Sequence, residues 1–204
     1  MNRLSLWTLA FICSLMTIFI ISGCRSITPS VSYYILNPVI AGPMPPADAD
    51  DQRPIIVGIS PVELPGYLNR VQMVKRTGPN QLEVSSRHRW ADYPDRMLQQ
   101  VLGENLSKLT IDTRVYTAPW PAGLKPDVTV DVTFLELIGT SDKKMLLSAV
   151  WTITGSGDPS PAHRTALSET ITGSGFDDLA AAHSRVLEAL CREVADSLSG
   201  FLVH

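Results

Sequence analysis

Cysteine is scarce in this 204-residue chain, with copies only at positions 13, 24 and 191, and none joins a CxxC or Cys/His cluster. The usual zinc-ligand spacings are therefore excluded. Histidine is equally thin: four copies, at 88, 163, 183 and 204, show the spacing of neither a metal site nor a catalytic triad. P-loop, GxSxG, HExxH and EF-hand patterns are missing too, which removes the mechanisms those spacings serve. Charge is low and nearly balanced, with 17 Lys+Arg against 20 Asp+Glu, so nucleic acid is a poor match as a partner. Two features that imitate a site have plainer readings. Asp127 and Asp131 flank Thr129 on the polar side of an alternating segment, which is the solvated face of a strand. The Gly-Ser-Gly repeats at 155–157 and 173–175 punctuate turns at strand ends. With no metal, cofactor or catalytic constellation in view, the chain reads as a non-enzyme.

Long hydrophobic runs are absent from the body of the chain but not from its start. After Arg3 an apolar stretch runs from Leu4 to Ile21, broken only by Ser5, Thr8, Cys13, Ser14 and Thr17. A basic residue followed by an apolar run is the pattern of a secretory leader. At about 18 residues the run could also just span a bilayer, so an uncleaved anchor is the alternative. Ile21-Ser22-Gly23-Cys24 follows at once, and it resembles the lipobox of bacterial lipoproteins. That resemblance implies removal of residues 1–23 and attachment of diacylglycerol and a palmitate-type N-acyl chain at Cys24. Each buried methylene contributes roughly 0.8 kcal/mol, so two or three chains hold a protein where one is marginal. Arg25 stands where an Asp would resemble the inner-membrane retention signal, which favours the outer membrane and its periplasmic face. The mature chain would have 16 basic against 20 acidic residues, a net charge of −4. Cys191 would be its one free thiol, so no internal disulfide is expected.

Residues 24–30 make a short polar tether and 31–204 a single domain. VSYYIL (31–36) reads as a first strand, and the proline-rich 37–54 as an exposed loop. IIVGISPVELP begins as a buried strand in which Gly58 marks a bulge or a close backbone approach. VQMVKR and QLEVSS form a hairpin around Thr77-Gly78-Pro79-Asn80. Asp92 is placed to cap a helix running to about Leu109, with Met97, Leu98, Val101, Leu102 and Leu106 on one face. Asn105 falls inside that face as a polar core residue satisfied by nearby backbone. The clearest hairpin joins DVTVDVTFLELIG, whose alternation slips phase at Leu135 as a bulge would, to KKMLLSAVWTITG. HRTALSETITG is a more exposed strand. FDDLAAAHSRVLEALCREVADSLSGFLV is the closing helix, capped by Asp177 or Asp178, with His183 as a buried structural histidine. The expected fold is α/β in the broad sense (α+β): a single mixed, largely antiparallel sheet of about seven strands covered by two long helices.

One stretch does not read as ordinary scaffold. VELPGYLNRVQMVKR (62–76) and SRHRW (86–90) gather Leu64, Pro65, Tyr67, Leu68 and Trp90 near Arg70 and other cations in what reads as loop. Aromatic residues with arginine are the composition of interface hot spots, although a loop packing its own apolar residues has the same composition. SYYIL, IIVGISPVELPGYLNRVQMVKR, NQLEV, RW and LGENLSKL together resemble the PqiC/YmbA family of ABC-type transport auxiliary lipoproteins, over nearly the whole mature chain. After Trp90 the chain departs from that pattern, with Ala91-Asp92-Tyr93-Pro94. The resemblance implies a non-enzymatic outer-membrane lipoprotein of an MCE-type lipid transport system. Its partners would be a PqiB-like MCE-domain protein with its inner-membrane component, outer-membrane lipids through the acyl anchor, and, in a ring, copies of itself. Leu64, Pro65, Tyr67, Leu68, Arg70 and Trp90 become the partner-binding positions. A lipoprotein that itself carries phospholipid is the alternative. The lipobox reading is checked directly: Cys24→Ala should retain the leader and lose the acyl mass of the mature protein, read by intact-mass spectrometry, whereas an uncleaved anchor predicts no mass change beyond the substitution.

Overall fold

The long alternating segment after residue 127 forms the middle of the molecule. The structure, a computed structural model, describes residue 7 and residues 30–38, 53–155 and 160–202. The expected leader beyond Trp7, Cys24, most of the proline-rich loop and the last two residues of the first Gly-Ser-Gly lie outside the described residues. The chain divides into units 1–30 and 31–204, and the second contains every residue of the hydrophobic core. Among the described residues no helix is long and apolar enough to cross a membrane.

Among the described residues ten elements follow in order: β1 (Ser32–Tyr34), β2 (Ile55–Ile59), β3 (Gln72–Gly78), β4 (Gln81–Trp90), α1 (Pro94–Leu109), β5 (Thr113–Thr117), β6 (Val128–Thr140), β7 (Lys144–Thr154), β8 (His163–Thr170) and α2 (Phe176–Leu202). The eight strands make one mixed sheet. The two expected hairpins are present, β3–β4 and β6–β7 pairing antiparallel, and β7 also pairs antiparallel with β8. The slip at Leu135 is a bulge between Phe134 and Glu136. Four shorter joints, β1–β4, β2–β5, β2–β6 and β3–β6, are parallel. The strand beyond the expected seven is β5, four half-exposed residues and the exposed Arg114 without apolar alternation, which gives periodicity nothing to detect.

Alternation places Val128, Val130, Val132 and Phe134 of β6 beside Met145, Leu147, Ala149, Trp151 and Ile153 of β7 in the core. Helix α1 adds Met97, Leu98, Val101, Leu102 and Leu106 at three- and four-residue spacings, and α2 adds Leu179, Val186, Leu187, Leu190, Val194 and Leu198. Trp151 Nε1 donates to Thr165 Oγ1 at 3.1 Å, and that hydroxyl donates to Glu193 Oε2 at 2.6 Å. The chain of bonds ties β7, β8 and α2 together.

Three local expectations change. The N-cap of α1 is Tyr93, without a side-chain cap, and Asp92 instead accepts the Tyr93 N–H at 2.7 Å and pairs with Arg96. Pro94 at the first helical position needs no N–H partner. Helix α2 starts at Phe176, and Asp178 reaches back to the Gly175 N–H at 2.9 Å, the carboxylate half of a capping box. SRHRW is strand rather than loop, because β4 resumes after Ser85, whose Oγ accepts the N–H groups of Arg87 and His88.

Gly58 marks a close approach, not a bulge. A Cβ there would lie 2.6 Å from Pro126 Cγ and 2.9 Å from Trp120 Cζ2. Both neighbours are rings with little freedom to yield. Gly58→Ala should therefore destabilise the fold by about 1–3 kcal/mol, measured as a lowered urea midpoint at unchanged m-value.

Candidate functional site

The chain between β2 and β3 does not loop into solvent. Ser60 N–H donates to Val130 O at 3.0 Å, Glu63 N–H to Val132 O at 3.3 Å, and Phe134 N–H to Glu63 O at 2.8 Å. Residues 60–63 thus lie along β6 in the gap between its joints with β2 and β3. Pro65 then starts a single turn, its carbonyl accepting the N–H groups of Leu68 and Asn69 at 2.8 and 3.1 Å.

Helix α1 holds the same segment from its side. Asn69 Nδ2 donates to Asp95 Oδ2 at 3.2 Å, and the Asp95 N–H reaches Asn69 Oδ1 at 3.5 Å. Asn69 therefore serves the helix start that lacks a side-chain cap of its own. Gln99 Nε2 donates to the carbonyls of Ile59 and Ser60, both at 3.2 Å. The sequence signal for Asn69 was only its place among the LPGYLNR residues, since a cap supplied by a distant segment has no local spacing.

The six singled-out residues meet here, in different environments. Leu64, Leu68 and Trp90 line a small hollow with Leu36, Gln72, Val74, Pro94, Leu98, Leu137 and His183. Leu68 and Trp90 are buried, Leu64, Pro65 and Arg70 half-buried, and Tyr67 is 40% exposed. Arg70 Nε donates to Gln72 Oε1 at 3.3 Å. The Trp90 N–H donates to Val71 O at 2.6 Å, and its ring meets His183 edge-on at 5.1 Å. The hollow has about 20 Å³ of free volume, room for one water and far below the ~300–1,000 Å³ of ligand pockets.

The buried groups are poor catalysts. His183 is buried with its Nδ1 2.8 Å from Leu179 O, and burial pushes its imidazole down to about 4. Burial likewise pushes the Cys191 thiol up to about 12, leaving no thiolate at neutral pH. Asn105 is not satisfied by backbone as its place suggested: Nδ2 donates to Cys191 Sγ at 3.7 Å, and buried Oδ1 has no partner. Asp127 stands just before β6, accepting the Ile56 N–H at 2.8 Å and pairing with Arg53. At the second Gly-Ser-Gly the Asp178 carboxylate fills the space against Gly173 and takes the Gly175 N–H, so the loop already holds its own anion. Among the described residues no group of three or more His, Cys, Asp or Glu side chains could hold a metal ion.

With that geometry in hand, the comparisons with known proteins decide the family. The model of the ABC-type transport auxiliary lipoprotein component matches residues 34–195. The chain belongs to this family. It is thus an auxiliary lipoprotein component of ABC-type transport, as the resemblance of SYYIL and LPGYLNR implied, and a member of a membrane-anchored lipoprotein family. A solved structure described as an uncharacterized protein aligns at TM-score 0.68 and 20% identity, over 83% of this chain and 99% of its own. The Xanthomonas campestris protein XCC0632, of family DUF330, aligns at TM-score 0.58 and 14% identity, over 82% and 90%. At such identities the likeness concerns the fold. No curated protein matches the chain.

The auxiliary lipoprotein should show His183 in its acid unfolding. Unfolded, the imidazole titrates near its ordinary 6.5; folded, near 4. Only the unfolded chain takes up this proton between those values, so the contribution is full above pH 6.5 and lost as pH falls towards 4. The loss totals about 3 kcal/mol. Urea titrations from pH 7 to 4 should show it, and His183→Leu should remove that part of the slope.

Proposed function

We propose that this auxiliary lipoprotein is a non-enzymatic docking component of an MCE-type intermembrane lipid transport system. Acyl chains on Cys24 hold it at the periplasmic face of the outer membrane. There it captures or receives the far end of a PqiB-like MCE-domain protein, whose inner-membrane component supplies the other anchor. Recruitment needs a rigid surface and no reaction.

The observation that carries this reading is the clamped 60–71 segment. Backbone bonds to β6 and side-chain bonds to α1 hold it from two sides, while Tyr67 stays 40% exposed at its turn. A pre-ordered aromatic loses little freedom on binding. Leu68 and Trp90 support the segment from within, and Tyr67 with half-buried Arg70 offers the contact. The alternative, a carrier of phospholipid, needs a cavity on the scale of acyl chains, and the hollow behind the segment holds about 20 Å³.

Co-purification with the MCE-domain protein in mild detergent tests the role. Tyr67→Ala should weaken capture by roughly 30-fold, the scale of one hot-spot residue, with thermal stability unchanged. Trp90→Ala should instead lower stability by about 3–5 kcal/mol. Stoichiometric phospholipid on the delipidated protein in native mass spectrometry would favour the carrier, and no capture by the wild type would reject docking.

A further inference from the structure

Beyond partner capture, we propose that the outward face of β1 and the last residues of β4 is a membrane-contact surface that lies against anionic phospholipid head groups. It rests on the lipoprotein reading only for the nearness of a membrane. The chemistry of the face comes from the fold.

Strand alternation separates two sets of side chains here. Tyr34 and Leu36 turn inward, and Tyr34 Oη lies 2.8 Å from His88 Nδ1, while His88 stacks on Phe176 at 3.9 Å. The odd-numbered neighbours take the other face. Val31, Tyr33 and Ile35 are 36%, 64% and 56% exposed, an apolar row at a sheet edge. Tyr33 is in register with Arg89 across the parallel joint, and Arg87, two residues before Arg89, is exposed on the same side. Neither arginine forms an ion pair among the described residues, and Arg89 Nε is buried without a partner. Aromatic and aliphatic side chains beside unpaired guanidinium groups suit the boundary where acyl chains meet phosphates.

Two further facts point to a lipid surface. Ser32 follows Cys24 by eight residues, which span at most ~28 Å fully extended, and this edge strand is the first element after that tether. The mature chain carries a net −4, so an anionic bilayer repels the molecule as a whole. Attraction has to be local, and here Arg87 and Arg89 form no ion pair among the described residues, while Glu83 of the same strand is paired with Lys75.

The test uses the mature chain without acyl groups, residues 25–204, whose core lies wholly in the folded unit. Sedimentation with vesicles of phosphatidylethanolamine and phosphatidylglycerol is compared with phosphatidylcholine alone. The protein should partition to the anionic vesicles, lose that binding in high salt, and bind about fivefold less for each arginine removed. Arg87→Gln and Tyr33→Ser, both at exposed positions, serve if Arg89→Gln fails to fold. Equal binding to both vesicles, none to either, or unchanged binding by the exposed variants would overturn the proposal. So would variants that alter self-association or capture of the MCE-domain protein and leave vesicle binding intact. Failure of acylation at Cys24 would appear separately, in the mass of the full protein.

Discussion

Strand β6 has two edges and more partners than two. One edge is taken by β7 over ten paired positions. The other is divided between β2 at Val128–Val130, Glu63 at Thr133, and β3 at Gly139 and Thr140. Thirteen residues extend about 44 Å, more than a five- or seven-residue partner can cover. Unpaired backbone groups between β2 and β3 would be costly where β6 is buried. The chain connecting those strands therefore runs along β6 and supplies the missing bonds, and this is why LPGYLNR follows a fixed path.

That constraint also explains which parts of the molecule were legible in the sequence. Local pairing leaves a local signature, so the hairpins, the slip at Leu135 and the apolar faces of both helices could be read from spacing. The parallel joints could be anticipated only as part of a mixed sheet and not placed, because a parallel partner lies a crossover away and imposes no turn chemistry. The candidate site divides in the same manner. Its composition stood out, but the sequence could not show that Asn69 serves α1, that Trp90 ends a strand, or that Leu68 faces inward beside His183. Each depends on a contact across more than 20 residues.

Three groups able to do chemistry are spent on structure. His183 is held neutral and edge-on to Trp90, Cys191 is held as a thiol against Asn105, and Asp178 closes the glycine-rich turn before α2. A buried imidazole that resists protonation and a buried thiol that resists ionisation serve packing better than proton transfer at neutral pH.

Two surfaces are distinct in kind, and their separation follows from the fold. The turn at Pro65–Leu68 is anchored to β6 and α1, deep in the sheet order, so a load applied there passes into the core. The row at Val31, Tyr33 and Ile35 is centred on β1 and flanks it by one residue at each end; β1 lies at the sheet's edge, joined to β4 alone. A three-residue edge strand is a weak point at which to pull on a domain. Its inward residue Tyr34 answers that weakness through contacts with His88 and Phe176, and its carbonyl accepts the Ala91 N–H at 2.8 Å. The first strand of the folded unit is thus fastened to the start of α2, so a load on β1 reaches a helix spanning 27 residues instead of peeling a single strand.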